Sequence, residues 1–278
     1  MQCYKDDCAE NKVRYDFLRP RGRWEAVEVC EDQLARNTLG GEHVGATVWP
    51  SSFLLARYLE TSIADGSRRI PHVVLELGAG TGLVGLVLSA MGVEKVLCTD
   101  LPARLPLLQE NLRRLSAFKE VHAGCSEAEY TSARPFCCPL DWRSSEEELA
   151  CIVADWQHRG LWPVDIIVFS DCTYAETVWQ PLLLTLAYIC RLLVEVHDAA
   201  ATCNHENDHR DCRLEVVFAH EERTSHDLND FLRSLIEVGV IQNREVISEL
   251  SVAELDLGYA WYPPKHLRLF VATLYPRR

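Results

Sequence analysis

Val73-Val74-Leu75-Glu76-Leu77-Gly78-Ala79-Gly80-Thr81-Gly82 passes from a β-branched apolar segment into a glycine-rich turn, and Leu83 to Met91 continues as an apolar stretch. A short apolar run ended by glycines predicts a buried strand, and the stretch after it predicts a helix. Glycines at such a junction admit positive φ and let the backbone approach a ligand closely, while the helix N-terminus offers free N–H groups. A strand, loop and helix built to hold a ligand is the first expectation.

The pattern repeats downstream. Lys95 to Thr99 reads as a second strand closed by Asp100, Phe136 to Leu140 as a third and Asp165 to Phe169 as a fourth. Helical stretches separate them at Leu105 to Leu115, Glu146 to Gln157 and Val178 to Val196. Leu214 to Ala219, Arg244 to Glu249 and Leu267 to Leu274 complete the strands, with a helix over Asp227 to Val238. Such alternation predicts an α/β fold, a Rossmann-like doubly wound and mostly parallel sheet with helices on both faces. Sheets of this kind bind ligands beyond the carboxyl ends of their strands. Upstream, Trp49-Pro50-Ser51-Ser52 marks a helix start before Phe53 to Leu59. Arg14 to Phe17 and Trp24 to Val29 alternate as an N-terminal hairpin. The expected organisation is an extension over residues 1–43, a single domain over 44–278, and a polar insertion at about 197–212.

The chain has 278 residues, enough to bury a full core, and its 48% apolar and 25% charged residues are ordinary for a globular protein. Its charge is more informative. Lys and Arg total 28 against 41 Asp and Glu, for a net charge of −13, and only Lys5, Lys12, Lys95, Lys119 and Lys265 are lysines. Nucleic acid is an unsuitable partner for such a chain, because phosphate binding rests on clustered cations that release counterions. No membrane partner is expected either, since the longest uncharged run, Leu77 to Val93, is 17 residues with five glycines. Met1 to Asp16 lacks an apolar core of signal-peptide length. Twelve scattered cysteines without a C-x-x-C pair suit a reducing compartment, the cytoplasm or the nucleus.

The loop leaves two cofactors open. Gly80, Gly82 and Gly85 satisfy G-x-G-x-x-G, which a dinucleotide-dependent NAD(P) oxidoreductase would use. Glu76, an acid two residues before the first glycine, instead suits the cationic end of S-adenosylmethionine and would repel a pyrophosphate. Asp100 can accept from ribose hydroxyls in either case.

Trp49-Pro50-Ser51, Glu76 to Gly82, Asp100, Leu140-Asp141-Trp142 and Ser170-Asp171-Cys172-Thr173-Tyr174 stand in one order. In that order the chain resembles the seven-β-strand methyltransferases of family 16, the lysine methyltransferases akin to methyltransferase-like protein 21 and the elongation-factor lysine methyltransferases. The resemblance covers roughly Val44 to Tyr188 and implies a seven-stranded sheet with S-adenosyl-L-methionine as cofactor. It further implies Trp49 against the cofactor, Gly78, Ala79 and Gly80 beside its methionine part with Glu76, Asp100 on the ribose and Trp142 flanking the adenine. Ser170 stands where the family often has Ala, and would meet the cofactor through its backbone.

Asp171-Cys172-Thr173-Tyr174 matches the family's D-x-x-Y signature directly after the Ile166 to Phe169 strand. Methyl transfer is an in-line displacement, so the protein's main task is to hold a neutral nucleophile on the axis of the breaking bond. A lysine amine must shed its proton first. The catalytic expectation is therefore that Asp171 attracts and orients the ammonium while Tyr174 walls the channel and hydrogen-bonds the amine. Beside such a site the acidic balance would attract a basic protein surface carrying the target lysine. Elongation factors and chaperones are the implied substrate types, and a monomer is expected.

Three further features need separate readings. Gly258-Tyr259-Ala260-Trp261-Tyr262-Pro263-Pro264 is a rigid aromatic loop suited either to a lysine stem or to its own core. Cys203, His205, His209 and Cys212 follow no common structural zinc spacing, so no metal is expected. A non-catalytic S-adenosylmethionine-binding module remains the rival to the enzyme, and the intact Asp171 and Tyr174 speak against it.

Overall fold

The computed structural model describes residues 12–19, 23–32, 45–121, 135–202, 214–222, 228–240, 247–250 and 266–274. An antiparallel hairpin, β1 (Lys12–Arg19) and β2 (Arg23–Cys30), comes first. The remaining strands are β3 (Val73–Leu77), β4 (Lys95–Asp100), β5 (Phe136–Pro139), β6 (Ile166–Ser170), β7 (Leu214–Glu221), β8 (Ile247–Leu250) and β9 (Leu267–Leu274). They form one sheet in the order β5-β4-β3-β6-β7-β9-β8. β3 to β7 pair in parallel, whereas β9 runs antiparallel to both of its neighbours.

The helices are α1 (Pro50–Ala64), α2 (Leu83–Ala90), α3 (Leu105–Val121), α4 (Glu146–His158), α5 (Glu176–Thr202) and α6 (Leu228–Glu237). Each central strand is apolar on both sides because helices cover both faces. Val74, Val96 and Val168 join an apolar layer with α1, α2 and α3, while Leu75, Leu97 and Phe169 join a second layer with α4, α5 and α6. Local signals set several helix starts. Pro50 opens α1 at a position whose N–H has no helical partner in any case. Ser145 and Glu148 close a reciprocal capping box on α4, whose first turn carries three glutamates where the helix dipole favours them.

The hairpin docks on the α1 side. Val13, Tyr15, Phe17, Val27 and Val29 are buried in the same apolar layer as α1 and α2, and the intervening Arg14 and Glu28 are exposed. A polar tie reinforces this packing. Tyr15 donates to Glu60 Oε2 at 2.8 Å, and Arg57 donates to the same oxygen at 2.6 Å and to the Asp16 carbonyl at 3.0 Å.

Several element boundaries differ from the sequence reading; α3, for one, runs on past Leu115 to Val121. α5 runs on to Thr202, into the stretch expected as an insertion, because Ala199, Ala200 and Ala201 sustain a helix after the apolar periodicity fades. Of the strand expected over Arg244 to Glu249, the described part is β8 at Ile247–Leu250, and residues 241–246 lie outside the described ones. Residues 176–196 of α5 are long and apolar enough to cross a membrane, but Leu182, Leu186, Ile189 and Leu193 spend that apolarity in the core.

Candidate active site

In sequence order β4 and β5 add to one side of β3, and β6 and β7 to the other. The sheet therefore has its switch point between β3 and β6, where the loops part and leave a crevice at the carboxyl ends. A cavity of about 770 Å³ lies there. Its floor is Gly78, Ala79 and Gly80 after β3, with Glu76 beneath and Asp100 at the end of β4. Its walls include Trp49 at the start of α1, Trp142 after β5, and Ser170, Asp171 and Tyr174 after β6. All of the expected site residues thus line one cavity, although they come from five separate segments.

Neighbouring groups hold the glycine loop in shape. The Ala79 N–H donates to the Thr99 carbonyl at 2.9 Å, the Gly80 N–H donates to Asp100 Oδ2 at 2.7 Å, and the Thr99 hydroxyl donates to the Glu76 carbonyl at 2.8 Å. Gly78 has φ +63°, and a Cβ there would lie 2.7 Å from Cys172 Sγ and 3.1 Å from Trp142 Cζ2. Only glycine keeps this cradle open. Asp100 also accepts from the Leu101 N–H at 2.7 Å, so its carboxylate is fixed at the cavity edge. Burial raises its pKa against those two hydrogen bonds.

Glu76 is only 2% exposed, and its Oε2 is buried without a hydrogen-bond partner among the described residues. Burial pushes its carboxyl up to about 8, with the Asp100 charge adding to the rise, while the Cys98 thiol and the Gly85 backbone partly offset it. Gly85 is required beside it, since a Cβ there would lie 2.3 Å from Cys98 Sγ and 2.7 Å from the carboxylate. The G-x-G-x-x-G spacing thus has a packing cause, with its last glycine serving the acid.

The loop after β6 carries the other half of the site. Asp171 is 3% exposed with φ 55°, a left-handed conformation uncommon outside glycine and tolerated best by Asp and Asn. Its N–H donates to the Ala219 carbonyl at 2.9 Å. The Cys172 thiol donates to the Leu77 carbonyl at 3.3 Å, joining the ends of β3 and β6. Tyr174 has its phenol pKa raised by burial and then by the nearby Cys172, Asp100 and Asp171, with Arg104 opposing, so it stays protonated at neutral pH.

The sequence reading missed several lining residues. Gly45 and Thr47 border the cavity, and a Cβ on Gly80 would lie 3.0 Å from the Gly45 carbonyl. Arg104, in a 3₁₀ turn over Pro102–Arg104, brings a cation to the same wall. Their place directly before Trp49 and after Asp100 was the available signal. The aromatic loop 258–264 and Cys203, His205, His209 and Cys212 lie outside the described residues. Among the described residues no group of three metal-ligating side chains comes together.

A doubly wound sheet whose switch-point crevice carries a glycine loop, a strand-end acid and a D-x-x-Y turn defines a Rossmann-like cofactor-binding protein. A solved structure from Streptococcus mutans, assigned to the SAM-dependent methyltransferases, shares this fold with a TM-score of 0.50 at 11% identity, over 98% of this chain and 57% of that one. The particular group follows from the sequence: the lysine methyltransferase family model matches residues 30–210, and the chain belongs to that family. It is 31% identical over 169 residues to the protein-lysine methyltransferase METTL21E of Mus musculus, covering 60% of each chain. It is also 31% identical over 163 residues to the EEF1A lysine methyltransferase 3 of Mus musculus, covering 58% of each. The chain spans 51% to 60% of the length of its METTL21E relatives.

Proposed function

We propose that this chain is an S-adenosylmethionine-dependent methyltransferase that acts on a lysine side chain of a protein. The observation that carries the reading is the convergence of the glycine cradle, Asp100, Trp142 and the Asp171–Tyr174 turn on one cavity. The residues fit the cofactor chemically. A cradle closed to any Cβ at Gly78 admits a flat backbone approach, and Glu76 sets a buried carboxyl beneath it, whose ionised form suits a cationic group. Gly78, Ala79 and Gly80 would hold the methionine part with Trp49 against it, Asp100 the ribose, Trp142 the adenine face, and Ser170 a backbone contact. Bound, the cofactor supplies an electrophilic methyl group.

The rest belongs to the chain's own side chains. Asp171 draws the lysine ammonium into the cavity and sets its direction, which is where a displacement gains most from positioning. Tyr174, kept protonated, is a hydrogen-bonding wall that excludes water beside it. A buried acid beneath the loop is a poor neighbour for a pyrophosphate, so the dinucleotide reading is not retained. The net charge of −13 supports a basic surface on the substrate, of the elongation-factor or chaperone type, and speeds encounter more than chemistry. A monomer in the cytoplasm or the nucleus, built as a domain over 44–278 with an N-terminal extension, completes the reading.

The test is incubation with radiolabelled S-adenosylmethionine in cell extract, followed by mass spectrometry of labelled proteins. Labelled lysine is expected, with Asp171→Ala and Tyr174→Phe abolishing or sharply reducing it while cofactor affinity stays within about threefold (roughly 0.7 kcal/mol). Cofactor binding without any labelled protein would leave only the non-catalytic module. Full turnover in both variants would remove the catalytic roles.

A further inference from the structure

We propose that Thr173 and His220 are positioning residues that hold the Asp171–Tyr174 turn in its working shape; the inference rests on the methyltransferase reading of that turn. The end of β7 grips the turn twice in succession. Ala219 accepts the Asp171 N–H at 2.9 Å, and the next residue, His220, shares a 2.7 Å hydrogen bond between its Nδ1 and Thr173 Oγ1. α5 holds the same residue from elsewhere, since the Trp179 indole donates to the Thr173 carbonyl at 3.0 Å. Thr173 is thus fixed at both its hydroxyl and its carbonyl.

Neither Thr173 nor His220 lines the cavity, whereas Asp171 and Tyr174, on either side of Thr173, do. At 1% and 4% exposure the pair lies within the fold, where an apolar residue would fill the same space without desolvating polar groups. Its hydrogen bond is the reason for polarity there. The pair is also needed, because Asp171 sits in a left-handed conformation that persists only when its surroundings over-determine it. The anchor behind the turn is stiff. Trp179 meets Phe231 edge-on at 5.7 Å, Phe231 meets Phe218 at 5.9 Å, and Phe218 stacks between Phe169 and Phe270 at 4.7 and 4.9 Å across β6, β7 and β9. The aromatic core thereby reaches the turn through one indole N–H and one imidazole.

Thr173→Val removes the hydroxyl at nearly constant volume, and Thr173→Ser keeps it. Thr173→Val is expected to lower kcat about tenfold, with cofactor affinity within about twofold, and Thr173→Ser to restore turnover. His220→Leu should lose at least as much as Thr173→Val, and the double variant should be no worse than His220→Leu, because both remove the bond that the two residues share. A second readout is independent of turnover: amide exchange over 171–174 in the cofactor-bound protein should quicken about tenfold in Thr173→Val and not in Thr173→Ser, with β3 and β4 unchanged. Wild-type exchange in Thr173→Val, wild-type turnover in it, or additive losses in the double variant would each overturn the proposal. A wild-type chain that labels no substrate defeats the methyltransferase reading, while exchange still decides the clamp. Should Thr173→Val not fold, Thr173→Cys supplies a weaker hydrogen-bonding group of similar size; intermediate exchange supports the pair and wild-type exchange overturns it.

Discussion

Replacing Gly78 by alanine tests the cradle directly. The added Cβ brings two costs that the structure separates. With φ at +63°, an L-residue pays about 1–2 kcal/mol for the left-handed conformation. The methyl group would also lie 2.7 Å from Cys172 Sγ and 3.1 Å from Trp142 Cζ2, inside the 3.4 Å at which ordinary contact begins. Overpacking of that kind costs about 1–3 kcal/mol, and Cys172 yields with difficulty because its thiol is bound to the Leu77 carbonyl. The sum, about 2–5 kcal/mol, should lower Tm by roughly 3–9 °C in a chain of this size. The cofactor should suffer as well, since Cys172 and Trp142 both line its cavity, and S-adenosylhomocysteine affinity is expected to fall at least about tenfold. Thermal unfolding and calorimetric titration measure both quantities. Cys172→Ala in the Gly78→Ala background removes the sulfur clash and leaves the φ strain, so it should recover about 1 kcal/mol or more. A Gly78→Ala variant with unchanged Tm and affinity, or no recovery in the double variant, would refute the reasoning.

Two further perturbations probe other parts of the molecule. Glu76, raised from 4.5 to about 8, keeps its proton in the folded chain after the unfolded chain has released it, so its contribution to stability is full below about 4.5 and is lost as pH rises through about 8. Urea unfolding should therefore show wild type losing stability from pH 6 to 9 relative to Glu76→Gln, and affinity for the cationic cofactor should rise over the same range only in wild type; parallel profiles would contradict this. Arg57→Ala would strip the guanidinium from Glu60, which is 1% exposed, and is expected to cost about 3–5 kcal/mol in urea unfolding, against about 1 kcal/mol for Tyr15→Phe. Equal losses in the two variants would mean that the Arg57–Glu60 pair within α1 adds nothing beyond the Tyr15 hydroxyl bond that reaches it from the hairpin.

The sequence by itself determined the elements and the chemistry available. Val73 to Gly82 specified a buried strand running into a glycine turn, because β-branched residues and glycines have local conformational preferences that survive without context. The order of Trp49, Glu76, Asp100, Trp142 and Asp171 named the site, since each follows or precedes an element with a clear signal. Tertiary structure decided what touches what. Strand order cannot be read locally, and it is the step from β5 back to β6 that puts Gly78 against Cys172 and Trp142. Gly85 fits a dinucleotide fingerprint in sequence, but in the fold Glu76 and Cys98 lie against it and require it. Thr173 and His220 are 47 positions apart, and neither residue alone signals the other. Burial, which lifts Glu76 and leaves Asp171 in a left-handed turn, belongs to the assembled fold, because desolvation depends on neighbours that the chain supplies from distant segments.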